Sequence, residues 1–291
     1  MDKIKKVYID SRYKSNDSVS NSDFKFELKE ALDLPDNTVC YIDDISIPHT
    51  WYTIEENLNN TLYIVTTQLD PEVSPTWYHT LALKIPAGNY TGSTLAAALQ
   101  AELIIAEPDH AFVCVYNPAS GSITIESTYI QLFTILSDYQ VSTFTYSFAV
   151  SWKDRIGNNV PFDFYNLKSL NEVIRNENNN EYHPLQTQGV SEHTTPFLDL
   201  LTVHNIYIHS NNLGHYNSIG VRGENTIIKK TPVSSGFGYM ILDSVVAPHD
   251  KIDVSRQTIK TLNFSFKNVH GNVIDLHGAN VSFSMIFVTT D

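Results

Sequence analysis

The chain has 291 residues, 42% of them hydrophobic, so it can form one large packed domain or two smaller ones. Nineteen Lys and Arg stand against 32 Asp and Glu, a net charge of −13, and a surface this acidic is repelled by phosphate, which argues against general nucleic-acid or anionic-membrane binding. No apolar run approaches a membrane span, the polar start Met1-Asp2-Lys3-Ile4-Lys5-Lys6 is unlike an apolar leader, and 16 Tyr with 14 Phe favour strands.

Lys3, Lys5 and Lys6 form a basic tip that reads as a solubilising tail. Val7 to Asp10 begins a short strand. Ser11 to Ser22, dense in Ser, Asn and Asp, is expected to be an arm that orders against a neighbouring molecule. Asp23 to Leu28 alternates apolar and polar residues with period two, the mark of a strand with one buried face. After the turn Leu34-Pro35-Asp36-Asn37, Thr38 to Pro48 reads as a long strand with Val39, Tyr41, Ile45 and Ile47 on one face and Asp43 interrupting it. Thr61 to Thr67 is a fourth strand.

The middle of the chain breaks this pattern. Pro71 and Pro75 mark a seam. Ser93 is the expected N-cap of a helix running to about Ile105, with Leu95, Leu99 and Leu103 on one stripe and Pro108 beyond its end. Phe112–Tyr116 and Ile123–Glu126 flank the turn Asn117-Pro118-Ala119-Ser120-Gly121 as a hairpin. Leu132 to Asp138 is expected to be a short helix. Residues 152–193 are rich in Asn, Glu and His, and the tract Asn176 to Glu181 reads as a surface loop.

From Leu201 onward, extended segments return: Leu201–Ser210, Thr226–Val233, Tyr239–Val246, Thr258–Lys267 and Val281–Val288. Leu262, Phe264 and Phe266 alternate with polar residues, as do Val281, Phe283, Met285 and Phe287. Turn signals at Gly220–Gly223, Gly236–Gly238 and His270-Gly271-Asn272 separate the strands. Five strands do not close a two-sheet sandwich, so the N-terminal strands must complete it. The expected fold class is therefore all-β: a single jelly-roll β-sandwich made from residues 1–71 and 196–291, with residues 72–195 inserted as a smaller α+β or β-rich domain.

No pattern carries chemistry. Asp43-Asp44 and Glu55-Glu56 are adjacent carboxylates; in a regular strand neighbours point to opposite faces, so Asp43 and Asp44 should not share a site. His204, His209 and His215 cluster in sequence, yet His204 and His209 are also expected on opposite faces, without convergent ligands. Ser234 to Gly238 lacks the glycine pattern of a nucleophile elbow. Trp51, Trp77 and Trp152 lie on separate segments, where packing is commoner for Trp than sugar stacking. Cys40 and Cys114 sit in strand-like runs and read as buried thiols rather than a disulfide framework. The sequons at Asn59, Asn89, Asn263 and Asn280 are read as chance matches, and the eleven histidines as scattered rather than as a pH trigger. No catalytic, cofactor-binding or metal-binding residue is assigned, no cofactor is expected, and the chain is not expected to be an enzyme.

Three stretches together resemble a known family. They are Val7-Tyr8-Ile9-Asp10-Ser11-Arg12 with Ser22 to Leu28; Cys40 to Tyr52 with Ile85-Pro86-Ala87-Gly88-Asn89-Tyr90-Thr91; and Gly271 to Phe287. Their order resembles the penton, or minor capsid, proteins of virophages and related Polinton-type elements. The resemblance implies a structural protein of the virion, assembled in the host cytoplasm. It would form homopentamers at the five-fold vertices of an icosahedral particle, surrounded by major capsid proteins of the double-jelly-roll type. A ring of that kind needs a head-to-tail interface. The alternative is a receptor- or glycan-binding β-sandwich that uses the inserted domain, which would also serve a vertex protein as its contact with a host receptor.

Overall fold

The computed structural model describes residues 3–68, 77–108, 111–127, 132–148, 150–163, 167, 169–176, 191–213, 219–220 and 223–290. The Pro71–Pro75 seam, His215 and most of the Asn176–Glu181 tract lie outside the described residues. Strands β1 (Lys3–Asp10), β2 (Asp23–Leu34) and β3 (Thr38–Pro48) open the chain. Then come β4 (Thr61–Gln68), β5 (Trp77–Lys84), helix α1 (Gly92–Ala106), β6 (Phe112–Asn117), β7 (Ser122–Ser127) and β8 (Leu132–Ile135). Helix α2 (Asp138–Phe148), β9 (Trp152–Lys153), β10 (Asn159–Val160), α3 (Asn171–Ile174) and β11 (Glu192–Thr194) follow. The chain closes with β12 (Asn205–His209), β13 (Ile227–Pro232), β14 (Met240–Asp243), β15 (Ile252–Asp253), β16 (Gln257–Lys267) and β17 (Ser282–Thr289).

These elements form two compact units, residues 1–51 with 203–291, and residues 52–202. In the first unit one sheet runs β1-β17-β3-β14, with β15 also paired to β3, and the other runs β13-β12-β16-β2. Leaving out the two-residue β15, the strands number one to eight along the unit and the sheets read 1-8-3-6 and 5-4-7-2. This is the strand order of a jelly roll, and the chain leaves it between its third and fourth strands. The two ends of the sequence pair directly: Lys3 faces Thr289 and Asp10 faces Ser282. Phe24, Leu262, Phe264 and Phe266 from one sheet meet Ile9, Ile45, Phe283, Met285 and Phe287 from the other in a single core. Phe264 lies edge-on to Phe283 with centroids 4.8 Å apart, a favoured aromatic geometry.

The strand β3 departs from the expected phase. Its buried residues are Thr38, Cys40 and Ile42, then Ile45 and Ile47, not one alternating set through Val39 and Tyr41. Ser284 of β17 faces Asp44 and Met285 faces Ile42, so Asp43 is an extra residue in a β-bulge. The bulge shifts the alternation by one and keeps both halves of the strand turned inward.

The second unit takes in β4, which moves the boundaries from 71/72 and 195/196 to 51/52 and 202/203. The cause is pairing: β4 bonds to β5 and β8, in a sheet of order β10-β9-β5-β4-β8, rather than to the N-terminal strands. This sheet is covered on both faces. On one, Leu62, Ile64 and Leu83 pack with Leu95, Leu99 and Leu103 of α1 and with Phe112, Ile123 and Ile125 of a second sheet, β11-β7-β6. On the other, Tyr63 and Val65 pack with Val141 and Phe144 of α2 and with Trp152. Residues 132–135 are a strand rather than the start of a helix, because they pair with β4 from Ile64↔Ile135 to Thr67↔Leu132. The N-cap of α1 is Thr91 rather than Ser93: the Thr91 side chain accepts from the Thr94 N–H while the Thr94 side chain accepts from the Thr91 N–H, a reciprocal cap.

Candidate assembly surfaces

Most of the described residues weighed for chemistry have structural partners, and Glu55, beside the exposed Glu56, accepts the Tyr52 N–H at 2.7 Å. Because of the bulge, Asp43 and Asp44 do approach one cation, against expectation: Lys6 Nζ lies 2.8 Å from Asp43 and 3.8 Å from Asp44. The hydrogen bond from Lys6 to Asp43 raises the lysine pKa. Asp44 also accepts from the Ser284 hydroxyl at 2.8 Å. The Lys3–Lys6 tip is thus strand β1 with a fixed ion pair, not a free tail.

The polar segment after β1 is not a free arm either. Asp10 caps a single 3-10 turn, Ser11–Tyr13, and accepts from the Arg12 backbone and guanidinium, which lowers the Asp10 pKa. Ser11 is buried, donating its N–H to the Val281 carbonyl at 3.0 Å and accepting the Val281 N–H on its hydroxyl. Ser15, Val19 and Ser20 donate to carbonyls of Lys25 and Asp23, and Asn21 donates to the carbonyls of Gly278 and Ala279. The segment spends its backbone groups on its own unit.

His209 is buried with Nδ1 2.9 Å from the Thr226 hydroxyl. Burial, reinforced by nearby Lys267, lowers its pKa. His204 lies just outside β12, and the described residues contain no group of three His, Cys, Asp or Glu that could hold a metal. Trp51 is stacked on His49 inside the first unit and Trp152 is enclosed in the second, donating to the Thr145 hydroxyl. Neither offers a face to a sugar, and the Trp77 side chain lies outside the described residues. Both cysteines are free and buried, and burial pushes each thiol pKa up to about 12. Ser235 sits in a turn closed by Gly238 at φ 83°, with its carbonyl 2.8 Å from His49 Nδ1.

What the first unit does present is sheet edges. β1 and β14 are the two ends of one sheet, each with a side that no strand pairs among the described residues. Near β14 the exposed residues are apolar: Tyr239 is 72% exposed, Leu242 69% and Val245 74%, with Met240 and Phe237 beside them. The buried Lys229 of β13 anchors this stretch, donating to the Val245 carbonyl at 2.6 Å and lying 3.6 Å from Asp243. The β1 edge differs in chemistry: Tyr8 and Ile4 are exposed among Lys3, Lys5 and Lys6. A clustered apolar strip on an open edge is the kind of surface that another chain covers. Sequence reasoning missed it, since Tyr239 to Leu242 is an unbroken apolar run that does not tell the inward Ile241 from the outward Met240 and Leu242; only the sheet order reveals that β14 is terminal.

By strand order the first unit is a jelly roll, and the chain belongs to the class of jelly-roll proteins carrying a large insertion between the third and fourth strands. No family model and no curated protein matches the sequence. Among solved structures it is similar to the mavirus penton protein, in its selenomethionine-labelled crystal form. The TM-score is 0.50 and the identity 10%, over 99% of this chain and 99% of that one. At that identity the likeness is one of fold.

Proposed function

We propose that this protein is a structural capsid protein, a penton. It assembles as a homopentamer at the five-fold vertices of an icosahedral particle and contacts surrounding double-jelly-roll major capsid proteins in the virion. The observation that carries this reading is the fold likeness to a penton over 99% of both chains. The open edges support it. A cyclic ring joins two different patches of neighbouring copies, and the apolar β14 edge and the basic β1 edge are two such patches on opposite ends of one sheet.

Light scattering after size exclusion, with negative-stain imaging, tests the reading. The expected species is a five-membered ring with five times the 32.8 kDa protomer mass. Leu242→Asp together with Met240→Asp should abolish the ring and leave a folded protomer, because both side chains are exposed. A protein that stays monomeric at high concentration, and forms no ring with its major capsid protein, argues against the proposal.

A further inference from the structure

The second unit contains a cleft of about 590 Å³ that no part of the capsid reading uses. Its charged groups nearly balance, three acidic against two basic. Glu102, buried, accepts from Arg155 at 2.9 Å. Glu56 and Lys84, both exposed at the cleft, carry opposite charges and have no ion partner among the described residues. Asp154 is already occupied, accepting the backbone N–H groups of Ile156 and Asn158 at 3.0 and 2.8 Å. Neither an anion nor a cation is selected by such a set.

Unspent hydrogen-bonding capacity remains. The exposed Glu56 carboxylate is an acceptor and the exposed Lys84 ammonium a donor at the cleft, while the unpartnered Asn60 Oδ1 in its wall is sealed from solvent and out of a ligand's reach. Asn159 Oδ1 accepts from Ser151 and Lys153, which fixes the amide and leaves its NH2 group as a donor. Beside these groups stand Pro86, Pro161 and the exposed Ile156, an apolar wall. Interleaved donors and acceptors next to an apolar wall match a ligand whose hydroxyls both give and accept hydrogen bonds and whose C–H face is apolar.

We propose that this cleft binds a neutral saccharide, as a segment of a larger glycan. The proposal goes beyond the capsid reading and does not depend on it. It also differs from aromatic stacking on tryptophan, since Trp152 of the same unit is enclosed in the core.

The test is ligand-observed NMR and calorimetry on the full chain. The probes are linear tetrasaccharides of glucose, mannose and N-acetylglucosamine at millimolar concentration, with inorganic phosphate and free lysine as charged controls. At least one tetrasaccharide should bind, and Glu56→Ala with Lys84→Ala should weaken it by about tenfold or more, the loss expected for removing about 1.4 kcal/mol of contacts. Both side chains are exposed, so unfolding should not intervene, and an unchanged thermal midpoint verifies this. Ile156→Glu, at the exposed wall, should give a similar loss. The proposal is overturned if no tetrasaccharide binds, if binding survives all three substitutions, or if phosphate or lysine binds the same residues at least as tightly. A ring-forming protein with no sugar binding would sink this proposal alone.

Discussion

Strand β16 of the jelly-roll unit and strand β4 of the second unit are both flanked by strands on either side, yet they are buried differently. Along β16, Leu262, Phe264 and Phe266 are buried while Thr261, Asn263 and Ser265 are not. Along β4, every residue from Thr61 to Thr66 is buried. A sandwich strand has one neighbour layer and one wet face, whereas β4 is pressed between α1 on one side and α2 with Trp152 on the other. Each unit therefore holds its own core, and damage to one should be readable apart from the other.

The largest effect is expected from deleting residues 1–20. This removes β1, Ile9 and Ser11 and strips β17 of its edge partner, so the jelly roll should lose cooperative unfolding in calorimetry. A deletion variant with native stability would break the assignment of β1 to the core. Next, Phe264→Ala should cost about 3–5 kcal/mol and Leu99→Ala about 2–5 kcal/mol, each read by chemical denaturation, because both create cavities in closed cores. The sharper result is selective: Phe264→Ala should shift the transition of the first unit and Leu99→Ala that of the second. Identical shifts of one shared transition would show that the units unfold as one. Thr91→Ala removes the reciprocal cap of α1 and should cost about 1 kcal/mol, again in the second unit only.

The smallest effect is a pH dependence common to both units. His209 in the first and His193 in the second have pKa values lowered by burial; for His209 Lys267 adds to this and Glu224 opposes it. Each is held neutral in the fold, so the unfolded chain binds more protons once the pH falls below about 6.5, the ordinary histidine value. Stability should decline as the pH drops through that value toward the lower folded-state pKa. Replacing either histidine with Gln should flatten the decline in its own unit, as followed by thermal melts between neutral and mildly acidic pH.

How far these features were legible depended on which force set them. The alternation in Phe264–Phe266 and Phe283–Phe287 revealed the sandwich, since one buried face writes itself into the sequence with period two. The strand β4 carried no such mark; a fully buried run reads the same whether its partners lie near the N-terminus or in the insertion, so it was placed in the wrong unit. The bulge at Asp43 was visible in principle, because the apolar phase changes from Cys40 and Ile42 to Ile45 and Ile47 across the aspartates. Strict alternation hid it and gave both the wrong face for Val39 and Tyr41 and the wrong separation of Asp43 from Asp44. The polar segment after β1 looked like an arm because its composition is that of a disordered chain, while its order comes from backbone bonds to Lys25 and Asp23 and from the Asn21 side-chain amide on the Gly278 carbonyl, which composition does not encode. The apolar strip at β14 depended on sheet order, which single strands do not specify.

The interruption of the jelly roll between β3 and β12 has a consequence for how the polypeptide acquires its shape during synthesis. Residues 52–202 are contiguous and carry every strand they need, so they can fold as soon as they leave the ribosome. The first three strands emerge earliest yet must wait, because Lys3 finds its mate only at Thr289 and Phe24 only at Phe264. Closing such distant pairs is slow, and until β16 and β17 arrive β1 and β2 lack their strand partners. Nascent chains of this protein should therefore be most dependent on chaperones until residues 257–289 have emerged.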